Sequence, residues 1–307
     1  MEYGLVIHGG AWAIPDEAVS DHLIGMKKAV DLGFPMLEKG GSALDVVEAV
    51  VAYLEDNPTY DAGRGSFLNS IGEVEMDAII ATDDYQLGSV AAIQNIRNPV
   101  KVARRLLDTK GPVFLTGKGA NLFASEMGFA TCLPEDLLVG RELERYYELK
   151  KKKDFVPKDA FRHPNRGTVG AVVLDKRKRL AVAVSTGGTP KKAPGRVGDS
   201  PLFGAGAYLE KNVIGVAATG YGEDLIRILM SKLTVELFKT GNSPQKATEL
   251  AINYLGTSVN GLGGIIALGT AGIGIAWNTP RMAFGFQTDS HPKQVGIEKE
   301  DYPFKLL

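Results

Sequence analysis

In some segments of the chain the apolar residues recur at helical spacing, which predicts helices, and in others they form short runs, which predict strands. Residues 3–8 form a short apolar run that ends at two glycines, which predicts a strand followed by a tight turn. Residues 21–39 have a helical pattern, which the glycines at 40 and 41 end. A second helix, capped by Ser42, is predicted to run to about residue 56. Its apolar face is formed by Leu44, Val47, Val50, Val51 and Leu54.

The rest of the chain shows strands in runs and helices in pairs. Predicted helices cover residues 100–107, 121–127, 223–239 and 244–255. Predicted strands cover residues 74–93 as a hairpin, 113–115, 169–174, 181–185 and 213–218, with residues 264–268, 273–277 and 282–286 as an antiparallel meander. This order favours packed layers of helices and sheets over alternating βαβ units with a parallel sheet.

Composition then excludes several classes of protein. The 307 residues include 35 Lys and Arg against 36 Asp and Glu, and this net charge of −1 argues against a nucleic-acid-binding protein. A hydrophobic content of 44% excludes wholesale disorder, and no apolar run reaches the ~18 residues that a membrane-spanning helix needs. The single Cys132 and four scattered histidines predict neither a disulfide nor a metal site formed by side chains. Since the first residues do not show the basic and apolar regions of a signal peptide, we expect a cytoplasmic protein.

Residues 140–166 differ from the rest of the chain. They contain four consecutive lysines at 150–153 and prolines at 157 and 164, a pattern typical of a solvated face or loop. An exposed segment here is also a natural place for the chain to be processed.

The first candidate chemistry comes from two threonines at one end of the hairpin predicted over residues 169–185. If its turn is symmetric about Arg177, Thr168 lies opposite Thr186, close enough for their hydroxyls to hydrogen-bond. Gly167 leaves the preceding carbonyl poorly shielded against attack by the Thr168 hydroxyl. A cross-strand threonine pair without a catalytic role is the alternative interpretation.

A second candidate cluster lies further along the chain. Arg196 and Asp199 share a turn rich in proline and glycine, where they could bind the carboxylate and ammonium of one amino-acid-like ligand. Thr219 and Gly220 end a predicted strand before a helix that starts near Gly222, and backbone N–H groups at such a start suit an oxyanion. An internal salt bridge and a simple capping turn are the alternatives.

Ordered motifs run through both halves of the chain. They are HGGA (8–11), DAGRGS (61–66), RNPV (97–100), GTVGAVVLD (167–175), STGG (185–188), PGRVGDSPLFGAGAY (194–208) and TGYGE (219–223). In this order they resemble the plant-type L-asparaginase and isoaspartyl peptidase family of N-terminal nucleophile hydrolases. The resemblance covers most of the chain and weakens between about residues 140 and 166.

The resemblance implies an α+β fold, a four-layer αββα sandwich in which residues 1–307 form a single domain. It also implies that the chain cuts itself between Gly167 and Thr168 by an N→O acyl shift. The products would be an α chain of residues 1–167 and a β chain of residues 168–307.

The implied activity is hydrolysis of L-asparagine and of β-aspartyl dipeptides through an acyl-enzyme on Thr168. The freed α-amino group of Thr168 would be the general base, and Thr186 would orient the nucleophile. No cofactor would be required, and the αβ unit is expected to form a homodimer.

The resemblance also assigns the substrate contacts. Arg196 would hold the substrate α-carboxylate, while Asp199 and the Gly222 carbonyl would take its α-ammonium. Thr219 and Gly220 would stabilise the oxyanion. The family also holds a sodium ion with loop carbonyls, here in the region of residues 53–64.

Two residues depart from the family pattern. Asp61 stands where many members have Asn, and its added carboxylate could alter substrate range or maturation. Trp12 follows HGGA where Gly is common; it could crowd a turn, and we expect it not to touch the chemistry.

Other functions are kept as alternatives. A glycosylasparaginase-like or threonine aspartase-like enzyme would share the threonine nucleophile, although the GTVG and GRVGDSP segments fit the asparaginase branch better. A non-catalytic amino-acid-binding protein would use only Arg196 and Asp199. Asparagine would then raise the melting temperature without release of ammonia.

Overall fold

The computed structural model describes residues 1–151 and 167–303. In these residues the strands are β1 (Gly4–Trp12), β2 (Met76–Thr82), β3 (Leu87–Ile93), β4 (Phe114–Thr116), β5 (Val169–Leu174), β6 (Leu180–Thr186), β7 (Ala207–Leu209), β8 (Gly215–Gly220), β9 (Gly263–Gly269), β10 (Gly272–Trp277), β11 (Arg281–Thr288) and β12 (Gln294–Gly296). The α-helices are α1 (Asp16–Glu38), α2 (Ala43–Asp56), α3 (Pro99–Thr109), α4 (Gly117–Glu126), α5 (Pro134–Leu137), α6 (Gly140–Lys151), α7 (Gly222–Ile228), α8 (Met230–Lys239) and α9 (Pro244–Val259). A 3-10 helix follows at Lys299–Asp301.

The strands form two sheets. The larger has the order β12-β11-β1-β5-β6-β2-β3-β4, and the smaller has the order β10-β9-β8-β7. Neighbouring strands are antiparallel except for the parallel pair β3 and β4. Strands β5, β6 and β8 are buried along their whole length, so their ends are held by packing on both faces.

Side chains that alternate along each strand connect the layers. In β1, Leu5 and Ile7 pack with helices α1 and α2, whereas Val6 packs against the smaller sheet. In β8, Ala217 faces the larger sheet and Val216 faces helices α8 and α9. Each fully buried valine, leucine or isoleucine among these side chains contributes about 1.5–3 kcal/mol. The layers therefore follow the order helix, sheet, sheet, helix, and the predicted αββα sandwich is confirmed.

Local sequence explains why several elements begin where they do. Ser42 Oγ accepts from the Asp45 backbone N–H at 3.1 Å and caps α2, as predicted. Pro99 is the first residue of α3, where its missing N–H costs no hydrogen bond. Helix α1 begins at Asp16 rather than at residue 21, and Gly40 with φ +87° follows its end.

The prediction of a three-strand meander at the end of the chain was wrong. Strands β9 and β10 pair as expected, but β11 lies in the larger sheet beside β1, with Phe286 opposite Val6. The chain crosses over after Trp277, where the Asn278 side chain fixes the turn through Gly261 and Gly263. The crossing gives the second edge of β1 a partner for its backbone groups, a need that neighbouring sequence does not reveal.

The prediction of one helix over residues 223–239 was also wrong. Leu229 has φ 49° and ψ 57°, and this left-handed residue separates α7 from α8. The N–H groups of Ser231 and Lys232 donate to the carbonyls of Ala205 and Gly204 instead of to a preceding helical turn. The loop before β7 therefore satisfies the first N–H groups of α8, which makes the break possible.

Residues 152–166 lie outside the described part of the chain, so the expected processing segment stays a prediction. Within residues 1–151 and 167–303, no helix is both long enough and apolar enough to cross a membrane.

Candidate active site

Thr168 and Thr186 meet at one end of the larger sheet. Val169 pairs with Ser185 across β5 and β6, so the register expected from a turn symmetric about Arg177 is confirmed. The Thr168 hydroxyl donates to Thr186 Oγ1 at 2.9 Å, and both residues are buried. The hydroxyl of Thr168 is therefore held in one direction before any ligand binds.

Asp61 is the next group in this line of contacts. Thr186 Oγ1 donates to Asp61 Oδ2 at 3.5 Å and also accepts from the Gly188 backbone N–H at 3.0 Å. The other carboxylate oxygen, Asp61 Oδ1, accepts from the Phe67 backbone N–H at 3.0 Å. A hydrogen-bonded line thus runs from Thr168 through Thr186 to Asp61.

The peptide bond between Gly167 and Thr168 is packed tightly. The Gly167 carbonyl accepts from the Asp61 backbone N–H at 3.2 Å. A Cβ atom added to Gly167 would lie 2.3 Å from Gly10 Cα and 3.1 Å from Trp12 Cδ1, so no side chain fits there. Gly10 itself has φ +97°, a conformation that favours glycine. Trp12, expected to be remote from the chemistry, lies beside the bond that is predicted to be cut.

Arg196 is engaged with a carboxylate of the protein itself. Its Nε and Nη2 donate to the two oxygens of Glu223 at 2.9 and 2.7 Å, and its side chain is only 14% exposed. This is a bidentate pair, the geometry in which a guanidinium binds a carboxylate most strongly. Glu223 occupies the Nε and Nη2 donors, so a substrate carboxylate would bind on the Nη1 side of Arg196 or replace Glu223.

Asp199 is buried beside Arg196. Burial raises the pKa of Asp199 to about 7, with the positive charge of Arg196 acting in the opposite direction. Its Oδ2 atom has no hydrogen-bond partner among residues 1–151 and 167–303. A buried carboxylate oxygen without a partner is suited to accept from a ligand donor.

The third part of the site lies at the end of the smaller sheet. Thr219 and Gly220 end β8, and the first residue of α7 is Gly222. A Cβ on Gly220 would lie 2.5 Å from the Leu262 carbonyl, and one on Gly222 would lie 2.9 Å from Arg196 Nη2. Both positions therefore require glycine, because backbone and the Arg196 guanidinium approach them closely.

The structure brings most of the predicted site residues to one small cavity. It is lined by Asp61, Gly167, Thr168, Thr186, Arg196, Asp199, Gly220 and Gly222, together with Gly188, Thr189, Gly198 and Ser200. Thr219 adjoins Gly220 in β8. The cavity volume is about 10 Å³, room for about one water molecule. In the uncut chain this space is too small for asparagine.

Three charged residues near the site were missed from the sequence. Glu223 binds Arg196, and the Lys192 Nζ donates to the Glu75 carbonyl at 2.7 Å. Burial lowers the pKa of Lys192, and its charge attracts Asp77, which lies opposite Thr186 in β2. Lys192 follows another lysine and resembles a surface residue, but an aspartate within the apolar strand β2 was a usable signal.

His8 is buried where β1 passes β5. A Cβ on Gly170 would lie 2.3 Å from His8 Nε2, so the ring is close to the start of β5. Burial lowers the pKa of His8 to about 3. A contact with the Thr168 backbone acts in the opposite direction, and because burial keeps the ring neutral we assign His8 no part in proton transfer.

Comparison with known proteins decides the family. The sequence profile of the family described as Asparaginase matches residues 1–297. This chain belongs to the asparaginase family. The two sheets with their flanking helices agree with the N-terminal nucleophile hydrolase fold of that family.

Named members of the asparaginase family match nearly the whole chain. A human protein named isoaspartyl peptidase/L-asparaginase is 39% identical over 300 residues, covering 97% of this chain and 96% of that protein. A protein of the same name from Xenopus laevis is 39% identical over 273 residues, covering 89% of this chain and 87% of its own length. The plant-type L-asparaginase of Pyrococcus horikoshii is 38% identical over 303 residues, covering 93% of this chain and 96% of that protein.

Proposed function

We propose that this protein is an amidohydrolase that cuts its own chain and then hydrolyses L-asparagine and β-aspartyl dipeptides. The observation that carries this proposal is the Thr168–Thr186 hydroxyl pair, 2.9 Å apart in a chain of the asparaginase family. Relatives named isoaspartyl peptidase/L-asparaginase and plant-type L-asparaginase support the two substrate types.

The first reaction would be scission between Gly167 and Thr168. Thr168 Oγ1 attacks the Gly167 carbonyl carbon, the bond to the Thr168 nitrogen breaks, and water then hydrolyses the resulting ester. The products are residues 1–167 and 168–307, which remain together in one domain. The close packing of Gly167 against Gly10 supports a fixed position for this bond.

The second reaction would use the amine that scission releases. The α-amino group of Thr168, with a reference pKa of ~7.7–8.0, takes the hydroxyl proton as a general base. Thr168 Oγ1 attacks the side-chain amide carbon of asparagine, and ammonia leaves with that proton. Water then hydrolyses the ester to aspartate. In a β-aspartyl dipeptide the leaving group is the amine of the second residue, and Thr186 orients the nucleophile in both reactions.

Substrate recognition would depend on the groups that surround the cavity. Arg196 holds the substrate α-carboxylate, and Asp199 with the Gly222 carbonyl receives the α-ammonium. Thr219 and Gly220 stabilise the oxyanion. These groups supply the nucleophile, the base and the oxyanion donors, so we propose that the reaction requires no cofactor.

Three further properties are proposed from the family resemblance. A sodium ion would be held by carbonyl oxygens in the region of residues 53–64, where the Glu55 carbonyl accepts from the Arg64 N–H at 2.8 Å and keeps a second lone pair. We also propose a homodimer of αβ units and a cytoplasmic location.

The test is removal of the Thr168 hydroxyl. Thr168→Ala should leave a single 32.8 kDa chain and lower ammonia release from asparagine by about 10⁴-fold or more. Thr248→Ala, at a buried threonine of α9 outside the cavity, is the matched control and should be cut and active. Unchanged scission and turnover in Thr168→Ala would refute the proposal.

A further inference from the structure

Asp61 contacts the carbonyl of the bond that the uncut chain would have to break, and it reaches the attacking hydroxyl through Thr186. Its backbone N–H donates to the Gly167 carbonyl at 3.2 Å. Its carboxylate accepts from Thr186 Oγ1 at 3.5 Å, and Thr186 accepts from the Thr168 hydroxyl at 2.9 Å. Asp61 therefore contacts the scissile carbonyl directly and is linked to the nucleophile Thr168 by the Thr186 hydroxyl.

The uncut chain does not have the base that the mature enzyme would use. Before scission the Thr168 nitrogen belongs to the peptide bond with Gly167, and its lone pair is delocalised into that bond. A different group must take the hydroxyl proton of Thr168 in the first reaction. In the described residues, the line of hydrogen bonds from this hydroxyl leads to the Asp61 carboxylate.

The hydrogen bonds fix the direction in which that proton can move. Thr186 Oγ1 accepts from Thr168 and from the Gly188 N–H, so its own hydrogen is directed to Asp61 Oδ2. Asp61 Oδ1 is taken by the Phe67 N–H. All the donors in this line point toward the carboxylate.

An asparagine at position 61 would reverse the last of these bonds. The Phe67 N–H requires an acceptor, so the amide oxygen would occupy the place of Oδ1. The amide NH₂ group would then face Thr186 Oγ1 and donate to it. The line would lose its proton acceptor while keeping its shape.

We propose that Asp61 is the proton acceptor for self-cleavage, acting through Thr186, and this inference rests on the proposed function of Thr168. The Thr168 hydroxyl proton passes to Thr186 Oγ1 as the Thr186 proton passes to Asp61 Oδ2. Thr168 Oγ1 forms a bond to the Gly167 carbon, and the carbonyl electron pair moves to the oxygen that the Asp61 N–H contacts. The bond to the Thr168 nitrogen then breaks, and that nitrogen receives the proton back by way of Thr186. Water hydrolyses the ester.

The backbone of Asp61 is held in place for this role. Its carbonyl accepts from the Gly187 N–H at 2.9 Å, immediately after Thr186 in the chain. A Cβ on Gly187 would lie 2.3 Å from Asp61 Oδ1, so the two segments are in close contact. The donor to the developing oxyanion and the acceptor of the proton are thereby fixed to one residue.

The experiment compares scission of freshly purified full-length chains by intact mass spectrometry. Asp61→Asn should slow scission by about a hundredfold, the lower range for loss of general base catalysis. Glu55→Gln is the matched control, because Glu55 is a buried carboxyl side chain that accepts from Ser185, next to Thr186, at 2.7 Å. It should be cut within about threefold of the wild-type rate. Equal scission of Asp61→Asn and wild type, or equal slowing by Asp61→Asn and Glu55→Gln, would overturn the proposal.

A second variant separates the charge of Asp61 from its shape. Asp61→Ala removes the carboxylate, and formate can supply one, whereas formamide has a similar shape without the charge. Formate should accelerate scission at least about tenfold more than formamide does. Equal rates in the two additives would contradict the proposal even if Asp61→Asn failed to fold. If wild type is neither cut nor active, the proposed function fails; if only the Asp61 variants behave as wild type, this inference alone fails.

Discussion

The two halves of the active site differ in how completely they are assembled in the uncut chain. In the nucleophile half, Thr168, Thr186 and Asp61 already contact one another in a continuous line. In the substrate half, Arg196 is bound to Glu223, and Asp199 Oδ2 has no partner among residues 1–151 and 167–303. The groups that would act on the chain's own peptide bond are in place, while those that would hold a substrate are engaged elsewhere or unsatisfied.

The difference suggests an order of events. The cavity of about 10 Å³ beside Thr168 cannot admit asparagine, and Gly167 is one of its walls. Scission between Gly167 and Thr168 would free that wall and release the amine that turnover needs. Maturation would thus use contacts that exist before any substrate arrives.

The largest difference between the two halves is expected in the variant Arg196→Lys, which should impair turnover and leave scission intact. Lysine keeps the charge but loses the paired donors, so kcat/KM for asparagine should fall by roughly 10- to 100-fold, mainly through KM. Scission at Gly167–Thr168 should stay within about threefold of wild type, since Arg196 contacts neither the hydroxyl line nor the scissile carbonyl. Steady-state kinetics and intact mass measure the two effects. If Arg196→Lys slowed scission as much as turnover, the two halves would not be separable.

The next effect is a tenfold change in KM per pH unit, which we expect from the titration of Asp199. Burial raises its pKa to about 7, so at lower pH the carboxyl is neutral and cannot attract the substrate ammonium. KM for asparagine should therefore rise by about tenfold per unit as the pH falls below 7, with the affinity retained above it. KM and kcat measured between pH 5 and 8.5 test this. A KM that stays constant across that range would exclude Asp199 as the ammonium ligand.

The smallest effect is a pH-dependent change in the free energy of unfolding, caused by Glu55, which lies next to the nucleophile half. Glu55 Oε1 accepts from Ser185 Oγ and from the Val100 N–H, and burial raises the pKa of Glu55 from 4.5 to about 8. The folded state keeps the Glu55 proton up to about pH 8, whereas the unfolded chain releases it near 4.5. Stability should therefore fall with rising pH by up to about 1.4 kcal/mol per unit between about pH 5 and 8.

Glu55→Gln should remove this part of the pH dependence. Urea unfolding at pH 5.5 and 7.5 measures it, with Thr168→Ala in the background so that both proteins remain single chains. Between the two pH values, the free energy of unfolding of the protein with Glu55 should fall by about 1–3 kcal/mol more than that of Glu55→Gln. An equal loss in both proteins would show that Glu55 is ionised in the folded state.

Sequence reasoning reached the parts of the site that depend on short-range geometry. The Thr168–Thr186 pair follows from a short, symmetric turn, and a strand pair of this length has few registers that keep both faces buried. Gly167 and Gly220, selected from the sequence for an unshielded carbonyl and for backbone N–H groups, both line the cavity.

Contacts between distant segments were not accessible in the same way. Asp61 reaches the hydroxyl line from the loop after α2, and the family resemblance, rather than the residues around position 61, placed it near the nucleophile. Glu223 ends a motif and starts a predicted helix, but its pairing with Arg196 depends on how α7 meets the loop after β6. The crossing of β11 to the larger sheet was missed for the same reason: the free edge of β1 lies far away in the chain.

The central claim is that Thr168 becomes the nucleophile through scission of the chain at its own amino side. The most direct measurement is intact mass and N-terminal analysis of the purified wild-type protein over time. The account predicts that the 32.8 kDa chain is replaced by two fragments, one of which begins at Thr168, and that ammonia release from asparagine grows in proportion to that fragment. A protein that remains one chain and still hydrolyses asparagine at a constant rate would contradict it.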